Sequence, residues 1–231
     1  TGDGSTQSIT QSGENSTFQP DFIWGKQTTG AQEPTIFDAV RGTTKYIQTN
    51  STAAEATQSG VTAFDSVVDG KNGFALGSWA VMNESSNNHV AWQWKAGDSN
   101  TAVSASGSGD GAINACTHRA NQTAGFSLVK YTGANSQISP GQDTKVTHGL
   151  GAKPELAFIK NMDDTHDWMV LSTSTTGFAS DSQTGDDAHL HLNTDDSVNG
   201  SLFTGHFETG SDETHFEVGN EASINTNGEN Y

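Results

Sequence analysis

Basic residues are scarce in this chain: ten Lys and Arg stand against 27 Asp and Glu, and after Lys160 there are none. The net charge is -17, and 14 of the acids fall in that cation-free stretch. Nucleic acid is bound through clustered cations, so this field excludes it as a partner. Cysteine occurs once, at Cys116. That rules out an intrachain disulfide framework and leaves stability to packing, with Cys116 read as a small buried residue. No apolar run approaches the roughly 18 to 20 residues of a membrane helix, so membrane insertion is not expected. Only 32% of residues are apolar, while Gly, Ser, Thr, Asn and Asp abound. This is a composition of short strands joined by polar turns.

Motifs that carry chemistry are equally sparse. There is no GxSxG elbow, the glycine and lysine spacing of a P-loop is absent around Gly42, and His118 has no readable partner for nucleophilic catalysis. Glycoside hydrolysis needs two carboxylates about 5 to 10 Å apart. Glu55, Glu155 and Glu208 are each possible, and no motif selects a pair. His189 and His191, at i and i+2, share one face of a strand near Asp186 and Asp187, yet no third His or Cys is suitably spaced and no DxDxDG loop is present. The reading is a chain without catalytic residues, metal or cofactor.

What the sequence does contain is an internal repeat at an offset of about 133 residues. Thr132-Gly133 restarts Thr1-Gly2, and GAKPELAFIK answers TFQPDFIWGK, with Pro154 on Pro20 and Lys160 on Lys26. HFEVGNEASINTNGENY lies on GFALGSWAVMNESSNNH, with Val218-Gly219 on Leu76-Gly77 and Tyr231 on His89. A period of this length fits a small domain rather than a solenoid. The expected fold is all-β: two tandem antiparallel β-sandwich (jelly-roll-like) repeats, residues 1-124 and 125-231. Thr1 enters mid-motif, and Tyr231 stops where the first copy continues into VAWQWKAG. The expectation is therefore a piece of a longer polypeptide, with its second repeat cut short at the C-terminal strand.

Strands are expected at FQPDFIWGK, KYIQT, VTAFDSVVD, GFALGSWAVM, HVAWQWK, GFSLVKYTG, KVTHGLG, PELAFIKN, DWMVLST, AHLHLNT, SLFTGHFE and HFEVG, each bounded by turn residues. TIFDAVRGT is either a strand or one helical turn. Strand alternation puts Val90, Trp92 and Trp94 on one face, expected to be core. Arg41 is expected to form a salt bridge with Asp38 or a neighbouring acid. MDDTHDW forms a loop after PELAFIKN, and its residues Asp163, Asp164, His166, Asp167 and Trp168 are the candidate ligand-binding set. There an aromatic face would stack on a sugar and carboxylates would accept from its hydroxyls.

PDFIWGK at Pro20, IFDAVRG at Ile36, GFALG at Gly73, HVAWQWKAG at His89, AGFSLVKYTG at Ala124 and HGLGAKPELAFIKN at His148 resemble a repeated domain common in virion proteins of marine tailed bacteriophages. The likeness covers nearly the whole chain, and Gly125 to Gly133 followed by HGLG is its most specific part. Gly25 departs from the family pattern, where an apolar residue is usual, and His89 stands in place of a Tyr. The resemblance implies a concanavalin-like or jelly-roll sandwich on the virion surface, in a tail fibre, a tail-associated protein or a capsid decoration, with no catalytic residues. The expected function is non-enzymatic attachment to host-surface or dissolved glycans. Expected partners are other virion proteins, host-surface glycan and further copies in a homo-oligomer. The alternatives are a purely structural spacer or knob, a bacterial cell-surface adhesin and a polysaccharide depolymerase fragment.

Overall fold

The computed structural model describes residues 1-11, 18-65, 71-134, 143-172, 188-200 and 207-231. The chain divides into two compact units: Thr1–Asn50 with Glu55–Gly97, and Ser51–Ala54 with Asp98–Tyr231. Position 124, expected as the domain boundary, lies in the turn of a hairpin whose two strands both belong to the second unit. The fold is all-β and antiparallel. Its helices are single turns, and none of the described ones is long and apolar enough to cross a membrane.

The first unit contains β1 (Gln7–Thr10), β2 (Phe22–Gln27), β3 (Thr35–Asp38), β4 (Gly42–Gln48), β5 (Ala56–Thr57), β6 (Val61–Ala63), β7 (Gly73–Leu76), α1 (Ala80–Asn83) and β8 (His89–Trp94). One sheet has the order β5-β4-β3-β2-β8 and the other β1-β7-β6. Ile23 and Phe37 from the first sheet meet Val61, Phe74 and Leu76 from the second in one core, as in a sandwich. TIFDAVRGT resolves into the strand β3 and a turn. Asp38 ends that strand by accepting the N–H groups of Val40 and Arg41, at 3.0 and 2.9 Å. GFALGSWAVM, expected as one strand, is β7 followed by the helical turn α1.

The second unit contains β9 (Thr101–Val103), β10 (Cys116–Asn121), β11 (Phe126–Tyr131), β12 (Thr144–Thr147), β13 (Leu156–Ile159), β14 (Met169–Ser172), β15 (Ala188–His191), β16 (Asn199–Gly200), α2 (Phe207–Gly210), β17 (His215–Val218) and α3 (Ala222–Asn225). Its sheets run β11-β10-β9, β12-β17 and β13-β14-β15-β16. Cys116, Tyr131, Val146, Ile159, Leu171, Phe207, Phe216 and Ile224 share its core. Part of the expected strand SLFTGHFE is the helical turn α2, and residues 201-206 lie outside the described residues. The Cys116 thiol reaches the Thr147 carbonyl at 3.5 Å, and burial raises its pKa.

Each unit is closed by a buried asparagine at the end of a helical turn. Asn83 donates to the carbonyls of Ser5 and Gly77, at 2.5 and 2.8 Å, and accepts from the Asp3 N–H at 3.1 Å. Asn225 donates to the Gly219 carbonyl and the Thr144 hydroxyl, at 2.7 and 3.0 Å, and accepts from the Ala134 N–H at 3.1 Å. Both side chains satisfy carbonyls that a bend in the chain strips of ladder partners. The Thr-Gly turn lies against each latch so tightly that glycine is required. A Cβ on Gly2 would stand 2.3 Å from the Glu84 carbonyl oxygen, and one on Gly133 would stand 2.1 Å from that of Thr226.

Candidate functional site

The loop after β13 brings the five expected residues together, and its polar groups are largely spent on holding the loop itself. Asn161 is fully buried, and its side-chain oxygen Oδ1 accepts the N–H groups of Asp163 and Asp164, both at 3.0 Å. Asp163 accepts the backbone and side-chain N–H groups of Asn230, both at 2.8 Å. Asp167 accepts from the side-chain amide N–H of Asn193 at 2.7 Å, while the Asn193 side-chain oxygen accepts the Trp168 backbone N–H at 2.8 Å. Lys160 is buried beneath the loop and donates to the Asn161 carbonyl at 2.7 Å. Desolvation lowers its pKa to about 8, opposed by the nearby charges of Asp167 and Asp164.

Trp168 corrects the expectation of a stacking platform. Its ring is only 4% exposed, because it leads directly into β14, whose Met169, Val170 and Leu171 are all buried. The tryptophans expected in the core are at the surface instead: Trp92 is 48% and Trp94 38% exposed. Alternation along β8 does place them on one face, but it is the outer one. Ala91, which lies between the units of that alternation, packs inward against the core. The reason is lateral packing. In the β2-β8 register Phe22 opposes Trp94 and Trp24 opposes Trp92. The first pair meets edge to face at 5.4 Å between ring centroids, and the second is tilted at 5.9 Å. Cross-strand aromatic pairs of this kind contribute about 0.5–1.5 kcal/mol each beyond area burial, which holds the rings in place without burying them. Four aromatic rings thereby form a ladder on the outer face of the five-stranded sheet.

The other candidate groups are placed as follows. Arg41 is paired with Asp38 as expected, and it also reaches Glu55 at 3.4 Å and the Ile36 carbonyl at 3.1 Å. Glu55 is bridged a second time, by Lys45 at 3.3 Å, so its carboxylate is engaged in ion pairs. Glu155 is exposed, and the side chain of Glu208 lies outside the described residues. The rings of His189 and His191 lie 5.1 Å apart on one face, as their spacing requires. Burial, then the neighbouring His191, lowers the His189 pKa to about 4. Asp186 and Asp187 lie outside the described residues, and among those described no three His, Cys, Asp or Glu residues are grouped to hold a metal. A cavity of about 230 Å³ opens in the first unit beside Gln7, Ile9, Phe74 and Gln93. That is below the roughly 300–1,000 Å³ of ordinary small-molecule sites, and it contains no nucleophile and base in contact.

The aromatic ladder Phe22, Trp24, Trp92 and Trp94 holds two of the exposed large apolar side chains among the described residues, Trp92 and Trp94. Its signal in the sequence was the alternation of HVAWQWK beside FIW, which sets the spacing of the rings but not which side of the sheet they occupy. No curated protein and no solved structure gives a match. The sequence profile of a domain of unknown function, DUF7483, matches residues 1–231, and the chain belongs to that family.

Proposed function

We propose that this chain is a non-enzymatic binding module that attaches to carbohydrate through the aromatic ladder of its first unit, on a virion surface appendage of the kind its motifs resemble. The observation that carries the reading is the exposure of Trp92 and Trp94 on one sheet face, beside Phe22 and Trp24. Large rings exposed together are unusual on a protein that has no use for them. A pyranose presents an apolar face of C–H groups that stacks on an indole, and rings a strand's pitch apart suit successive residues of a linear glycan. The acidic surface, net charge -17, matches neutral sugars better than anionic ones.

The same reading takes the two units as copies of one sandwich. The orders β5-β4-β3-β2 and β16-β15-β14-β13 are equivalent meanders, β1-β7 pairs as β12-β17 does, and Asn83 and Asn225 make equivalent latches. Duplication followed by divergence leaves one copy with Phe22 and Trp24 and the other with Leu156 and Phe158 at the corresponding outer positions.

A glycan array probed with the 231-residue chain and with Trp92→Ala and Trp94→Ala tests the proposal. The expected result is binding to a subset of neutral glycans that falls about tenfold or more with each substitution while folding is retained. Absence of any glycan ligand, or binding indifferent to both substitutions, overturns it and leaves the structural spacer as the better reading.

A further inference from the structure

The four-stranded meander of the second unit ends on β13, and among the described residues no strand pairs with its free edge. In the first unit the corresponding place, beside β2, is filled by β8. The two strands share their surroundings in detail. Lys26 and Lys160 each donate to the carbonyl of the following residue, at 2.6 and 2.7 Å. Those following residues, Gln27 and Asn161, are both buried. One position further, Thr28 and Met162 donate their N–H groups to the carbonyls of Asn88 and Asn230, both at 2.8 Å.

The direction of the free backbone groups follows from the pairing. Leu192 donates to the Trp168 carbonyl across the β14-β15 pair, so alternate residues of β14 from Trp168 onward face β15. Met169 and Leu171 therefore face β13, where their partners are Ile159 and Ala157. The N–H and C=O groups of Leu156 and Phe158 point away from the sheet. Their side chains are 50% and 51% exposed. The strand LAFI has no charge, proline or bulge to blunt this edge, the usual protections of an edge strand, and the nearest cation, Lys160, is buried.

We propose that the β13 edge is a strand-acceptor site for an extended polypeptide segment, antiparallel to β13, with aromatic side chains at alternate positions. The template for this occupant is β8. Phe22 and Trp24, at the places of Leu156 and Phe158, are opposed by Trp94 and Trp92, so the incoming aromatic residues stand opposite Leu156 and Phe158. Main-chain hydrogen bonds supply the binding energy, and the two half-exposed apolar side chains fix register through cross-strand pairs. This site goes beyond carbohydrate attachment: it lies in the second unit and recognises backbone.

The test titrates the 231-residue chain with the synthetic peptide VAWQWKAG, the sequence of Val90 to Gly97, and follows amide hydrogen exchange by NMR. The expected result is saturable binding with slowed exchange at Leu156 and Phe158, weakened about tenfold or more when both peptide tryptophans are replaced by serine. Phe158→Glu in the chain gives a similar loss, and because the wild-type exchange pattern is read independently, misfolding of that variant leaves the test intact. No binding up to about 1 mM peptide overturns the proposal. So does binding that leaves both amides unchanged. Protection of the same amides without peptide, accompanied by concentration-dependent dimerisation, overturns it in favour of a second copy of the chain as the occupant.

Discussion

The strands HVAWQWK and DWMVLS each hold tryptophan next to apolar residues, yet β8 turns Trp92 and Trp94 outward while the second unit buries Trp168 at the head of β14. The difference lies in their neighbours. On β8 the rings find lateral partners, Phe22 and Trp24, across one strand boundary, and the inward position Ala91 is small enough to sit against the helical turn and the facing sheet. On β14 three consecutive buried residues follow the tryptophan, and the Asn193 side-chain oxygen accepts the Trp168 backbone N–H at 2.8 Å. A tryptophan's position is thus set by what its strand packs against. Strand periodicity fixes only which residues go together.

Substituting the two kinds of tryptophan is the most forceful test of this contrast. Trp168→Ala removes a large buried ring and is expected to cost about 3–5 kcal/mol, whereas Trp94→Ala is expected to cost about 0.5–1.5 kcal/mol, the worth of one aromatic pair. Urea denaturation of both variants measures the difference. Equal losses would mean that the ladder is as much a structural element as the core.

A second comparison sets Asn83 against Asn225. Each amide satisfies several buried backbone groups, so truncation to Ala leaves carbonyls such as those of Gly77 or Gly219 without a donor. Each substitution is expected to destabilise by about 2–3 kcal/mol. Site-resolved hydrogen exchange should show the weakening first in β1 and β7 for Asn83→Ala, and in β12 and β17 for Asn225→Ala. A loss in the same strands for both variants would break the correspondence between the latches.

How much of this was legible in the sequence depends on which physical signal is asked for. The strands show in period-2 patterns and turn residues, and the Arg41–Asp38 pair shows in its spacing. The Thr-Gly turns were visible as matched strings at Thr1 and Thr132, but not their reason: a glycine pressed against a carbonyl appears only once Glu84 and Thr226 are in place. The helical turns α1 and α3 were hidden because four residues give no helical period, and AVMN reads as a strand when followed from β7. The ladder was half legible. Its residues were singled out, and their side of the sheet was misjudged because apolar alternation looks the same from either face.

A smaller effect is expected from pH. Burial lowers the pKa of His189 to about 4 from its ordinary 6.5, and lowers those of His118 and His148 as well. With the folded pKa below the unfolded one, the unfolded chain binds more protons between the two values. Stability is complete above about pH 6.5 and is lost as pH falls through the window toward 4. The histidines with lowered pKa belong to the second unit, so acidification should weaken that unit's strands specifically. His189→Gln is expected to reduce the loss between pH 6.5 and 4.5 by about 1–3 kcal/mol, read as the change in urea midpoint. An unchanged pH dependence would show that His189 is solvated in solution.

The finest comparison concerns one backbone angle. The turn after α1 places Ser86 at φ 69°, and the turn after α3 places Gly228 at φ 82°. Both donate their N–H back to the Thr-Gly turn, Ser86 to the Gly2 carbonyl at 3.0 Å and Gly228 to the Gly133 carbonyl at 2.9 Å. The left-handed conformation is the same, and only the residue differs. A side chain at positive φ costs about 1 kcal/mol relative to glycine, offset in part by the greater freedom glycine has when unfolded. Nothing lies within 4 Å of where a Cβ on Gly228 would stand, so Gly228→Ser meets no steric obstacle and reports the backbone term alone. Gly228→Ser is expected to destabilise by about 0.5–1 kcal/mol, and Ser86→Gly to be neutral or stabilising by a similar amount. Thermal unfolding of the two variants reads both signs, and a stabilising Gly228→Ser would mean that the two turns do not share a conformation in solution.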